Sequence, residues 1–238
     1  MDSLTKSERI LYGSLFCLTF VTGLVDAGSW VAMGHVLTAN MTGNIIFLGF
    51  AVGGVPGLPI GRSVTALGFG LAGGFLAGKL DSLLKKQQRN LWLAAAFGFE
   101  ALLLFAAMTV ASCFQSREGQ SVSTALYGII ALTAVGMGMR NGTVKRLAVP
   151  DLTTTVLTLT VAALAFDFSF TPGNNPRWCR RLGSVLLMFS GAFIGVHLLK
   201  HSLVLLLGVS AVLTSFCMLV QIFREETQHE AALRVPQR

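Results

Sequence analysis

Apolar runs joined by short, mostly basic links leave this chain few folds to adopt. Eight such runs can be drawn, from about 10 to 25, 45 to 55, 63 to 78, 91 to 114, 122 to 139, 156 to 166, 182 to 199 and 202 to 223. Crossing roughly 30 Å of hydrocarbon takes a helix of about 20 apolar residues. Only 12% of the residues are charged, where a soluble domain carries roughly 25%. The 238 residues therefore read as a single integral membrane domain, with no room for a large soluble one. The formal net charge of +7 would suggest nucleic acid in a soluble protein. Here the basic residues flank apolar runs, which is the pattern of cytoplasmic anchoring beside acidic lipid head groups. The first run follows a basic start and lacks a small-x-small cleavage site, so it reads as a retained helix.

The second and sixth runs, "IIFLGFAVGGV" and "VLTLTVAALAF", hold only eleven residues each and follow polar, uncharged lead-ins, "TANMTGN" and "LTTT". Either all eight runs cross the membrane, or these two enter and return, leaving six crossings. Basic residues in short loops discriminate between the two. Eight crossings would place ten of the eighteen Lys and Arg inside and eight outside. Six crossings leave Arg62, Arg117 and Lys200 outside and fifteen inside, with both termini cytoplasmic. The expected fold is all-α, with six transmembrane helices plus two re-entrant or partial helices.

The chain also resembles itself. A shift of 115 to 118 residues sets Gly23, Asp26 and Ala27 on Gly138, Asn141 and Gly142, and Thr42 on Thr158. The same shift sets Arg62 on Arg180, Gly73 on Gly191 and Phe75 on Phe193. Repeats of about 10–114 and 122–223, each with three crossings and a partial helix, would be inverted relative to one another. Inverted repeats are common in secondary transporters, whose binding site lies where broken helices of both halves meet. The third and seventh runs carry glycines at four-residue spacing, Gly70, Gly74 and Gly78, and Gly191 and Gly195. Such faces admit close helix contact, and these two runs are expected to pack on each other at the pseudo-two-fold axis.

Polar groups gather at the two breaks. Asn40, Thr42 and Asn44 stand at the start of the second run, and Thr153, Thr154, Thr155 and Thr158 at the start of the sixth. The start of a helix has unpaired N–H groups and a positive dipole end. Neutral donors and acceptors beside it can hold a small polar solute, or simply cap the helix and satisfy broken backbone. Asp26 follows the first run, and Glu100 sits near the middle of "LWLAAAFGFEALLLFAAM". A carboxylate at that depth must be paired, hydrated or protonated, which makes both acids candidates for ion coupling. The structural alternative for Glu100 is a pair with Arg140 or Arg62, or a protonated acid bonded to a backbone carbonyl.

Cys17, Cys113, Cys179 and Cys217 form no CxxC pair and read as packing residues. His197 and His201 have the i, i+4 spacing of a metal pair but no third ligand nearby, so a helix end at the interface is expected. No GxxxxGK[ST], HExxH or GxSxG motif occurs, and no cofactor, metal or enzymatic activity is expected.

Two stretches carry a family resemblance. "GLVDAGSWVAMGHVLTANMTGNIIFLG" contains a G-x-x-D-A element and an N-M-T-G-N block, through Gly23, Asp26, Ala27, Gly34, Asn40, Met41, Thr42, Gly43 and Asn44. "GMGMRNGTVKRLAVPDLTTTVLTLT" contains a G-M-Q-N-A-like element and a T-T-x-x-T run, through Gly138, Met139, Asn141, Thr154, Thr155 and Thr158. Together they resemble the YoaK-like family of small multi-pass membrane proteins without established function. Arg140 stands where that family's pattern has glutamine, and Leu159 where it has glycine. The resemblance implies a multi-pass membrane location and no particular substrate.

The sequence thus points to a secondary transporter or permease for a small polar solute, in a bacterial inner or plasma membrane. Solute contacts are expected from Asn40, Thr42, Asn44, Asn141, Thr155 and Thr158, and ion coupling from Asp26 and Glu100. The alternative is a non-transporting membrane assembly or regulatory protein whose polar breaks are structural. Membrane lipids and the solute are the expected partners, nucleic acid is not, and homo-oligomers are compatible with either reading.

Overall fold

A computed structural model of the chain describes residues 6–84, 89–115, 122–149, 152, 154, 155, 157–169 and 177–233. Thr153 and the basic residues Lys85, Lys86, Arg117, Arg234 and Arg238 lie outside the described residues. All regular structure among the described residues is helical. The helices are α1 (Lys6–Ala32), α2 (Met41–Val52), α3 (Ile60–Leu83), α4 (Arg89–Gln115), α5 (Val122–Leu147), α6 (Thr158–Ser169), α7 (Trp178–Leu199) and α8 (Leu203–Leu233).

Five of these, α1, α3, α4, α7 and α8, are long and apolar enough to cross a membrane. With 26 residues α5 has the length, but its second half carries Arg140, Asn141, Lys145 and Arg146. The 12-residue helices α2 and α6 would each rise about 18 Å, well short of a bilayer core. Large apolar side chains such as Leu71, Phe75, Phe166 and Phe189 point outward, as a lipid-facing surface requires.

Two helices run past the ends that their apolar patterns suggest. The sequence places the end of the first crossing near Asp26, yet α1 stays helical to Ala32. Likewise α5 continues through Arg140 and Asn141 to Leu147. The polar side chains do not break these helices because each finds its partner on another segment of the protein.

Helix pairing follows the small residues. Gly23 of α1 faces Met188, Gly191 and Ala192 of α7, and one turn later Ala27 meets Gly195. Gly138 of α5 faces Gly70 of α3, Gly73 faces Val135 and Met139, and Gly142 meets Gly74 and Ala77. Both pairs run parallel. At Gly23, Gly73, Gly138 and Gly191 a Cβ would meet partner backbone, so only glycine permits these approaches. The expected contact between the third and seventh runs is not made: α3 packs on α5, α7 packs on α1, and α3 and α7 do not touch among the described residues. Their glycine faces are complementary to the small-residue faces of α5 and α1 rather than to each other.

Helices α4 and α8 pack antiparallel, since Gly98 faces Met218 while Gly208 faces Met108. Helix α8 is antiparallel to α1 as well: Gly28 meets Leu206, and Gln221 donates to Ser14 Oγ at 2.9 Å. The beginning of α1 and the later turns of α8 therefore share one end of the molecule. Within the core, hydroxyls of Thr19, Thr22, Thr133, Ser210 and Thr214 bond the carbonyl one turn back, which satisfies them without a partner helix.

Candidate functional site

Residues 33–40, between α1 and α2, form an irregular strap whose backbone is held by side chains from four helices. Helix α1 supplies two of the holds. The Asp26 carboxylate accepts the N–H of Ala39 at 3.0 Å, and Ser29 Oγ accepts the N–H of Thr38 at 3.3 Å. Helix α3 reaches over with Arg62, whose Nη1 donates to Gly34 O at 3.4 Å. Gly34 has φ 81, and a Cβ there would meet the Arg62 guanidinium, so the turn requires glycine.

Helix α2 holds the strap through Asn44, which is fully buried. Its Oδ1 accepts the Leu37 N–H at 2.9 Å and its Nδ2 donates to Leu37 O. One amide side chain thus satisfies both the N–H and the C=O of a residue that no helix or sheet serves, the condition for irregular backbone at membrane depth. Asn40 precedes the first residue of α2, but its side chain makes no capping bond.

Helix α5 closes the set. Asn141 Nδ2 donates to Ala39 O at 3.2 Å, and Asn141 Oδ1 accepts the Thr155 hydroxyl at 2.7 Å. The peptide groups of Ala39 are therefore gripped from both sides, N–H by Asp26 and C=O by Asn141. These are the two residues that the 115-residue shift places on each other. Thr155 belongs to the segment leading into α6, so one chain of bonds runs from the second break, through Asn141, into the first.

A cavity of about 390 Å³ opens where the two breaks meet. Ala39, Met41 and Thr42 line it from the first break, and Asn141, Val144, Lys145, Ala148, Val149 and Thr155 from α5 and the second. Its size suits a small solute. Of the residues singled out in the sequence, the structure brings Thr42, Asn141 and Thr155 to this cavity. Asp26 and Asn44 stand behind it and hold the strap. Thr158 opens α6, is exposed, and is not among the lining residues, nor is Asn40. No sequence pattern marks Val144, Lys145, Ala148 and Val149 as lining residues, and Lys145 is one of the fifteen basic residues that six crossings place on the cytoplasmic side. A helical register continued past Asn141 would have put residues 144, 145 and 148 on its face.

Glu100 does not reach the cavity. Its carboxylate pairs with Arg140, Oε2 accepting Nε at 2.9 Å and Oε1 accepting Nη2, with both side chains fully buried. Arg140 Nη1 also donates to Leu18 O at 2.7 Å and to Thr22 Oγ1 at 2.9 Å. The guanidinium is thus spent on α1 and α4, and its charge does not face the cavity beside Asn141. Of the two partners the sequence offers Glu100, Arg140 and Arg62, the structure selects Arg140. His197 Nδ1 lies 2.9 Å from Phe193 O on an exposed stretch of α7. Cys17 and Cys217 lie inside the bundle, whereas Cys113 and Cys179 are exposed.

A protein built this way, with helices as its only regular structure among the described residues, several of them membrane-length and apolar, is a multi-span membrane protein. Residues 14–220 match the family described as "Protein of unknown function (DUF1275)", and the chain belongs to that family. It is similar to the UPF0700 transmembrane protein YoaK of Bacillus subtilis (strain 168), with 35% identity over 161 residues. That similarity covers 66% of this chain and 65% of the relative, so it spans just under two thirds of the relative's length. No solved structure matches.

Proposed function

We propose that the protein is a secondary transporter or permease for a small polar solute, working by alternating access around the two breaks. The observation that carries this reading is the cavity of about 390 Å³ shared between them, lined by Thr42 of one and by Thr155 of the other through Asn141. In this reading six helices cross, α2 and α6 are partial, the two halves are inverted repeats, and both termini are cytoplasmic. Three observations support it. Exchanging α1–α4 with α5–α8 maps the set of helix contacts onto itself: α1 on α7 becomes α5 on α3, α4 on α5 becomes α8 on α1, and α2 on α3 becomes α6 on α7. The antiparallel contact of α4 with α8 fits six crossings, because eight alternating crossings would make these helices parallel. The charge count, fifteen basic residues against three, favours the same topology.

Thr42, Asn141 and Thr155 contact the solute, Asn44 and Asp26 fix the strap that leads into α2 and Thr42, and the Glu100–Arg140 pair stiffens the centre. Asp26, which makes no ion pair among the described residues, is the better placed of the two for ion coupling. A second reading, a membrane assembly or regulatory protein, is favoured by one specific observation: the Asn44 amide is consumed by the Leu37 peptide, as a purely structural break would require. Uptake of a panel of small polar solutes into proteoliposomes separates the two. The transporter reading expects flux of at least one solute, slowed about tenfold or more by Thr42→Val, an exposed position, with the unfolding midpoint unchanged. Thr155→Val should slow it as well, and also removes the hydrogen bond that buried Thr155 gives Asn141. No flux across the panel, or flux indifferent to both changes, favours the assembly reading.

A further inference from the structure

The charge and shape of the cavity narrow the class of solute. Lys145 is its ionisable lining residue, and no acid lines it among the described residues. The other nearby cation, Arg140, is neutralised by Glu100 and faces α1 and α4. The first turn of α2 borders the cavity, with Met41 and Thr42 among the lining residues. First-turn N–H groups have no intrahelical acceptors, and the Asn40 side chain supplies none. The carboxylate of Asp26 takes the N–H groups of Ala39 and Asn40, just before that turn. The hydroxyl of Thr42 and the second N–H of the Asn141 amide add neutral donors, while the Thr155 hydrogen is already given to Asn141 Oδ1. Met41, Val144 and Val149 make the remaining wall apolar.

We infer that the cavity binds a small organic carboxylate, its charged group between Lys145 and the first turn of α2 and its apolar part against Met41, Val144 and Val149. A carboxylate accepts several hydrogen bonds at once, and it is drawn both to an ammonium and to the positive end of a helix. The corresponding neutral amide keeps the shape but loses the attraction, and an amine meets repulsion. The inference rests on the cavity being the solute site of the proposed transporter.

The test uses the full chain, purified in detergent for equilibrium binding and reconstituted in vesicles for flux. The probes are matched carboxylates and amides, acetate with acetamide, lactate with lactamide and benzoate with benzamide, together with benzylamine and inorganic phosphate. At least one carboxylate should bind about tenfold or more tightly than its amide, the difference expected from about 1.4 kcal/mol of charge recognition. Lys145→Gln should abolish that preference and Lys145→Arg should keep it. Amides or benzylamine binding as well as carboxylates, phosphate competing as strongly as any carboxylate, a preference that survives Lys145→Gln, or no binding by any probe would each overturn the inference. Carboxylate binding without flux would leave the inference standing and end the transport reading. Flux of amides alone would do the reverse.

Discussion

Arg140→Ala is expected to destabilise the protein by about 3–5 kcal/mol, read as a lowered midpoint in thermal or denaturant unfolding in detergent. The size of the effect follows from what the substitution leaves behind. Glu100 is fully buried on α4, and the guanidinium bonds both of its oxygens. Without Arg140 the carboxylate keeps its desolvation cost and loses its compensation, while Leu18 O and Thr22 on α1 each lose a donor. The pair therefore joins three helices. A buried ion pair is nonetheless no better than a well-packed neutral pair of similar volume. The double variant Glu100→Gln with Arg140→Gln should recover most of the loss, since two amides can hydrogen-bond in the same space. Glutamine is also the residue that the YoaK-like pattern carries at this position. A double variant as unstable as Arg140→Ala would mean that the charge itself, not its compensation, sustains the centre of the bundle.

The glycine contacts should give the second large effect. Gly138→Val and Gly191→Val should each cost about 1–3 kcal/mol or prevent assembly of the bundle, because the new side chain lands on the backbone of the partner helix. At Gly138 the obstacle is Gly70 of α3, and at Gly191 it is Phe20 and Gly23 of α1. Helix association within lipid relies on such close packing, so neither crossing can move apart at little cost. Gly13 and Gly78 provide the contrast. Both are helical with nothing near the site of an added Cβ, and alanine there should be neutral or stabilising by up to about 1 kcal/mol. Unfolding midpoints of the four variants check the pattern. Equal effects at Gly78 and Gly138 would contradict the packing described.

The comparison with the sequence shows which information is local. The eight helices were legible as apolar runs, and the brevity of the second and sixth followed directly from eleven-residue stretches. The ends of α1 and α5 were not, because Asp26 and Asn141 interrupt an apolar pattern without interrupting the helix. Their side chains leave it to grip Ala39, a contact that spans 13 residues in one case and 102 in the other. That Glu100 must be paired, hydrated or protonated was legible from its depth; that it pairs, and with Arg140 rather than Arg62, depends on how α4 and α5 pack. The four-residue glycine spacing pointed to Gly70, Gly74 and Gly78, whereas the contact with α5 uses Gly70, Gly73 and Gly74 and leaves Gly78 open. Gly73 was visible instead through its match to Gly191. For Asn44 no sequence signal could have named the Leu37 peptide as its partner. The site was legible in part: Thr42, Asn141 and Thr155 line the cavity, while the Lys145 wall required the helical continuation of α5.

The proposed alternating-access mechanism depends most on two opposed halves that meet at a shared cavity, and therefore on α2 being a partial helix. Single cysteines at Leu58 and Ser82, before and near the end of α3, tested in intact cells with a membrane-impermeant thiol reagent on a background lacking the native cysteines, report it directly. Six crossings with a cytoplasmic N-terminus predict that Leu58→Cys is labelled from outside and Ser82→Cys only after the membrane is opened. Eight crossings with the same N-terminus predict the reverse, and that result would contradict the inverted arrangement on which the proposed mechanism rests.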